Sequence, residues 1–357
     1  MRVFGQPAGR YLPTLDGWRA IAITMVVASH ALTAQSEHGG GLVNLLTFRM
    51  GTLGVMLFFA ISGYLICTRL LVEQESTGSI SLPSFYIRRI FRILPAAWIY
   101  LAVVAGLGAA GIVTARWRDI APAAFFYANY APPQSWFTGH YWSLALEEHF
   151  YCLWPAILVV TGRRRAIGIA AVLIALSAAL RLRFASSGDL PGYTHLRLDA
   201  FMFPCILAIL LRRESFAKRF AAAMRPAGWV SLVAVFAMGV AAAVLFPVLR
   251  EPQRIFQSAV LPVIIAATVH RPGDWVGRFL RLPALECLGR ASYSVYLWQQ
   301  LVFGFAPGNW PARAVSLPLL IGGLLVISEA SRRSIEEPFI KAGKRLASRS
   351  RVTVGIS

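Results

Sequence analysis

Ten apolar runs dominate the chain, near residues 18–35, 52–72, 93–113, 143–161, 166–182, 197–211, 227–249, 255–270, 287–306 and 313–331. A helix that crosses a bilayer needs about 20 consecutive apolar residues, so ten of them use up most of a 357-residue chain. Hydrophobic residues make up 57% and charged residues only 14%, against about 45–50% and 25% in soluble domains. That excludes a disordered chain and an ordinary soluble domain. The expected fold is all-α, a polytopic transmembrane helical bundle of about ten spanning helices. Residues 1–340 read as one integral membrane domain and 341–357 as a basic cytoplasmic tail. The apolar stretch 120–131 is too short to span and reads as re-entrant or interfacial. The first run lacks a small-residue cleavage site and is expected to be retained as a helix. No soluble domain is expected after the tenth run.

Charge sets the orientation. Lys and Arg number 35 against 16 Asp and Glu, a net +19. In a soluble chain this would point to nucleic acid, but here the basic residues cluster between apolar runs and no nucleic-acid partner is expected. With ten spans and the N-terminus inside, the inner segments hold 23 basic residues, among them Arg2, Arg10, Arg88, Arg89, Arg92 and Arg163 to Arg165. The outer segments hold six, at positions 49, 116, 118, 181, 183 and 250. The Lys/Arg excess marks the cytoplasmic side, which places both termini there. Cys67, Cys152, Cys205 and Cys287 sit in or beside apolar runs with no CxxC pair. They read as buried packing thiols rather than a disulfide framework or a metal site.

A few polar residues interrupt the apolar runs. Arg19 and His30 are eleven residues apart in the first run, close to three helical turns, so they share a face, with His30 roughly 16 Å deeper. An ionisable group near the midplane is either functional or a neutral His bonded between packed helices. Arg89 and Arg92, spaced i,i+3, point the same way on a helix. Two guanidinium forks suit phosphate, but on the residues alone topology anchoring or contact with anionic lipid head groups is the favoured reading. Around His140, Ser143 is a plausible N-cap, with Glu147 one turn inside an apolar run. Arg197 and Asp199 read as a structural ion pair. The segment Ser292 to Gln300 carries several hydroxyls and two amides, which either join helices or line a site.

Taken in order, these segments resemble the acyltransferase family 3 membrane proteins. The matching pieces are Leu15-Asp16-Gly17-Trp18-Arg19 with His30; Phe58 to Ile66; Arg89-x-x-Arg92 before Ile93-Leu94-Pro95; His140-x-Trp142-Ser143-Leu144-x-x-Glu147; Ser292 to Trp298; and Glu336-Glu337-Pro338. The resemblance implies O-acylation, commonly O-acetylation, of a carbohydrate or other envelope or secondary-metabolite hydroxyl from cytoplasmic acyl-CoA as co-substrate, in a bacterial inner membrane. It implies His30 as the catalytic residue with Arg19 as its motif partner, and Arg89 with Arg92 at the donor. Glu147 joins the catalytic candidates, and His140, Trp142, Ser143 and Tyr293 are the candidates to bind a carbohydrate or glycolipid acceptor. One position departs from the pattern: many members carry His where this chain has Gln299. No metal is expected. The rival reading is a sugar-lipid transporter or flippase using the same residues for binding alone, although no internal repeat of the kind common in transporters is evident.

Overall fold

The computed structural model describes residues 11–33, 41–132, 135–184, 192–306 and 310–354; Arg2 and Arg10 lie outside the described residues. Those residues form helices and turns, with no strand among them. The α-helices are α1 (Pro13–Thr33), α2 (Gly41–Thr77), α3 (Leu82–Ala109), α4 (Trp117–Ala124), α5 (Trp136–Gly139), α6 (Tyr141–Phe184) and α7 (Asp199–Leu210), followed by α8 (Glu214–Ala223), α9 (Pro226–Leu245), α10 (Arg250–His270), α11 (Trp275–Leu280), α12 (Pro283–Gly304), α13 (Trp310–Ser331) and α14 (Glu337–Val354).

The ten apolar runs are helical wherever they are described, but six stretches among the described residues are long and apolar enough to cross a membrane: Phe48–Thr77, Leu82–Ala109, Trp136–Phe184, Pro226–Leu245, Arg250–His270 and Val315–Arg349. The difference from ten has local causes. α6 holds two of the expected runs in 44 residues, about 66 Å of helix, and breaks between them at Gly162 (φ 70°, ψ 169°), a backbone conformation open to glycine alone at little cost. α7 is apolar but only 12 residues long. α1 and α12 have the length, but polar side chains interrupt them, among them Asp16, Arg19 and His30 in α1 and Gln299 and Gln300 in α12. The stretch 120–131 forms the end of α4 and a single 3-10 turn, Ala128–Tyr130.

Arg88, Arg89 and Arg92 lie in the first half of α3, so Arg89 and Arg92 are an i,i+3 pair on a helix, as their spacing indicates. α2 stops at Gly78, whose φ is 80°, the left-handed C-terminal position that glycine favours. Ser81 then caps α3, its hydroxyl accepting from the Ser84 N–H at 3.4 Å, with a proline in the first turn.

The chain divides into two compact units. The first comprises residues 1–22, 53–80 and 149–290. Here backbones approach closely at glycines. A Cβ on Gly17 would lie 2.2 Å from the Leu280 carbonyl oxygen, and one on Gly289 would lie 1.9 Å from the Asp16 oxygen. Phe201 stacks on Phe150 at 4.6 Å and against Phe59 at 4.7 Å, joining α2, α6 and α7. Cys67 and Cys205 are buried in this unit, as expected, whereas Cys152 and Cys287 are exposed, because they lie on outward faces of α6 and α12.

The second unit comprises residues 23–52, 81–148 and 291–357. Its centre is α3, to which tyrosines on other helices are pinned. Tyr141 donates to the Ala97 carbonyl and Tyr293 to that of Ile93, both at 2.7 Å. Much of the basic C-terminal segment is α14, which lies along α3: Ser84 Oγ donates to the Ala347 carbonyl at 3.0 Å, and Phe91 meets Phe339 at 6.4 Å.

Candidate active site

The second unit draws two histidines from distant parts of the sequence onto two consecutive glutamines. His30, near the end of α1, places Nδ1 3.1 Å from Oε1 of Gln299 on α12. His140, in the turn between α5 and α6, is bonded twice to Gln300 Oε1, through its backbone N–H at 3.1 Å and through its ring Nδ1. An amide oxygen only accepts, so a neutral imidazole that donates from Nδ1 to it carries its lone pair on Nε2. The two imidazoles lie within electrostatic reach of each other. The Nε2 atom of His140 is buried with no hydrogen-bond partner among the described residues, and so is the amide nitrogen of Gln299.

Aromatic rings fix both imidazoles. Trp136 meets His30 edge-on at 5.5 Å, and its indole N–H donates to the Gln300 carbonyl at 2.8 Å, which ties α5 to α12. Tyr100, Tyr141 and Tyr296 surround His140 at 4.9–5.4 Å. The Ser143 and Tyr296 hydroxyls lie 2.6 Å apart and 3.2 and 3.0 Å from the His140 carbonyl; with one proton each, one hydroxyl donates to the carbonyl and the other to its partner hydroxyl. Ser143 is therefore not the N-cap expected of it. α6 begins two residues earlier, at Tyr141, and the hydroxyl turns back onto the preceding turn. Trp142 is half-buried in the first turn of α6.

A second polar group in the same unit gathers about the start of α3. The Arg89 guanidinium lies 5.8 Å from the centre of the Phe85 ring and acts electrostatically on Glu148. Arg92 acts likewise on Tyr293 and Glu336, and Glu336 accepts from Ser294. Glu147 is half-buried and within electrostatic reach of Tyr293 and Tyr296.

Arg19 falls in the first unit, where its guanidinium pairs with Asp16 at 2.7 Å. Asp16 also accepts from Tyr11, and burial together with that bond pushes the phenol up to about 12. The expected Arg197–Asp199 ion pair is not formed: Asp199 pairs with Arg181 instead. Residues two apart at a helix start point in different directions, while Arg181 reaches Asp199 from α6. The sequence pointed to Tyr296 and Gln300 only as part of the polar segment Ser292 to Gln300, and not to Tyr100 or Trp136. The neighbouring amides at 299 and 300 were the available signal; Tyr100 carried none.

A family model described as an acyltransferase domain (Acyl_transf_3) matches residues 12–328. The chain belongs to the acyltransferase 3 family. Among similar family proteins, one named a putative O-acetyltransferase, from Staphylococcus aureus strain COL, is 31% identical over 94% of this chain and 58% of its own length. The peptidoglycan O-acetyltransferase OatA of Listeria monocytogenes is 28% identical over 94% of this chain and 56% of its own. For the O-acetyltransferase OatA of Staphylococcus aureus strain NCTC 8325 the figures are 29%, 94% and 58%. The chain thus spans a little over half the length of these relatives. No solved structure matches. Family membership and the six apolar helices make it a multi-pass membrane protein.

Proposed function

We propose that this acyltransferase 3 member is an O-acetyltransferase that moves an acetyl group from acyl-CoA to a hydroxyl of a cell-wall glycan of the peptidoglycan type, with His30 as general base. The observation that carries this reading is the His30–Gln299 hydrogen bond. It holds the proton on Nδ1 and leaves Nε2 to take one from substrate, as general base catalysis requires. Nε2 removes the acceptor hydroxyl proton, and the oxygen attacks the thioester carbonyl. The C–S bond then breaks, and the CoA thiolate leaves with the proton returned from the imidazolium. Arg89 and Arg92 bind the donor phosphates. His140, Trp142, Ser143 and Tyr293 bind the acceptor, Glu147 orients it, and Arg19 is held ready by Asp16.

The same reading places ten spans in a bacterial inner membrane with both ends cytoplasmic, the donor entering at Arg89 and the acceptor at His140 from the opposite face. Two measurements test it. Purified protein should transfer labelled acetyl from acetyl-CoA to glycan, and cysteines placed at 89 and 140 should label from opposite sides. Glycan binding without any acetyl transfer would make the chain a transporter, and labelling from one side would end the through-membrane route.

A further inference from the structure

The first unit holds a cleft that the proposed reaction does not use. It opens where α9 begins and α10 ends, beside α11. The Trp229 indole, near the start of α9, donates to the Ile264 carbonyl near the end of α10 at 3.2 Å. Farther along, Phe236 stacks on Phe256 at 6.4 Å, so the two helices run antiparallel. Both are long and apolar enough to cross a membrane, and the ends of spanning helices lie at the bilayer surface. The cleft encloses about 310 Å³, part of it continuous with solvent. That is near the lower end of small-ligand sites, about 300–1,000 Å³, and suits a head group rather than a whole nucleotide cofactor.

Its lining combines aromatic faces with one charge of each sign. Trp229 and Trp275 meet edge to face, with centroids 6.1 Å apart and planes at 88°, and Trp275 is 59% exposed. Arg271 and Asp274 are the only charged residues among the described lining. They pair through Nε and Oδ2 at 3.1 Å, with side chains 33% and 38% exposed. Arg271 Nη1 donates to the Met224 carbonyl at 3.2 Å. Arg271 Nη2 and Asp274 Oδ1 remain to bind a ligand. The lining is therefore neutral overall, with a donor for an anion and an acceptor for a cation.

We infer that this cleft binds the head group of a zwitterionic phospholipid. The phosphate accepts from Arg271 Nη2, and the ammonium lies against the tryptophan faces and Asp274 Oδ1. The acyl chains run along α9, which turns apolar side chains such as Val230, Val235 and Met238 outward. An anionic head group would need a cation that no carboxylate already balances, and the lining has none to give. The site takes no part in acyl transfer, so binding tests it.

The experiment is native mass spectrometry of the full chain in detergent, which resolves each bound lipid by mass. The titrants are phosphatidylethanolamine, phosphatidylglycerol, galactosyl diacylglycerol and free glycerophosphoethanolamine. The first phosphatidylethanolamine should bind more tightly than any of the other three. Trp275→Ala should weaken it by about two- to thirtyfold, as loss of a cation–π contact implies. Asp274→Asn, which leaves Arg271 unbalanced, should erase the preference over phosphatidylglycerol, and it carries the test if Trp275→Ala does not fold. Equal binding of the two phospholipids by the wild type overturns the inference. So does a preference that survives both substitutions. Tighter binding of the galactolipid makes the cleft a sugar site, and equally tight binding of free glycerophosphoethanolamine makes it a site for a soluble metabolite; either result overturns the lipid assignment.

Discussion

Replacing Gln299 with Leu separates a catalytic contribution from a structural one. The amide is fully buried and makes one hydrogen bond to the His30 ring, at 3.1 Å. Its nitrogen has no partner among the described residues. Removing the amide orphans the His30 Nδ1 proton, at a cost of about 1–3 kcal/mol. It also removes the orphaned amide nitrogen, which offsets a similar amount. Folding stability should therefore change by less than about 2 kcal/mol, and the melting temperature should barely move. Turnover has no such offset. With nothing holding the Nδ1–H tautomer, the basic Nε2 form is lost from part of the population and the ring is free to turn. A loss of about 1–3 kcal/mol at the transition state is about 5- to 150-fold in kcat. The assay is transfer of labelled acetyl from acetyl-CoA to glycan by purified protein, with a melting curve on the same preparation. Gln299→His, which keeps an acceptor nitrogen, should retain more activity than Gln299→Leu. Turnover within twofold of wild type in the Leu variant would show that Gln299 does not set the state of His30.

Other substitutions probe the remaining parts. His30→Ala should insert and fold, yet lose about 10²–10⁴-fold in turnover; a variant retaining a tenth of wild-type rate would remove His30 as the base. Arg89→Ala and Arg92→Ala should each raise the KM for acetyl-CoA by about ten- to a hundredfold, with Lys restoring only part because it lacks the fork; unchanged donor kinetics would return the pair to a topological role. Glu147→Gln should impair acceptor use while leaving acetyl-CoA binding nearly intact, as equilibrium dialysis would show. Gly289→Ala drives a Cβ into the Asp16 carbonyl and should destabilise by about 1–3 kcal/mol, seen as a lower melting temperature with the catalytic pairs unaltered.

The helices and their order were legible because a long apolar run in lipid must satisfy its own backbone hydrogen bonds and so forms a helix. The histidine–glutamine pairing was legible only in part. His30 is conspicuous as an ionisable group within an apolar run, but its partner lies 269 residues away, and spacing along one helix says nothing about that distance. Gln300 and His140 are separated by 160 residues for the same reason. The first-unit charges show the opposite error: proximity in sequence paired Arg197 with Asp199, whereas folding brought Arg181. Helix breaks at a single glycine, as at Gly162, are likewise invisible in a hydropathy pattern, since the apolar residues continue on both sides.

The four thiols bear on how the protein can be handled and probed. Cys67 and Cys205 bond across the α2–α7 seam, Cys67 Sγ to the Cys205 carbonyl and Cys205 Sγ to that of Gly63, both at 3.6 Å. Both are fully buried. Oxidants and maleimides act on accessible thiolates, so this pair should withstand air and labelling reagents in the folded state without added reductant. Cys152 and Cys287, on outward faces, are the background that a labelling experiment must remove. Cys152 lies within an apolar stretch that lipid would cover, so a membrane-impermeant reagent should spare it in vesicles and reach it only when detergent strips the bilayer. Difference labelling at that native position then reports the depth of α6 without any engineered residue.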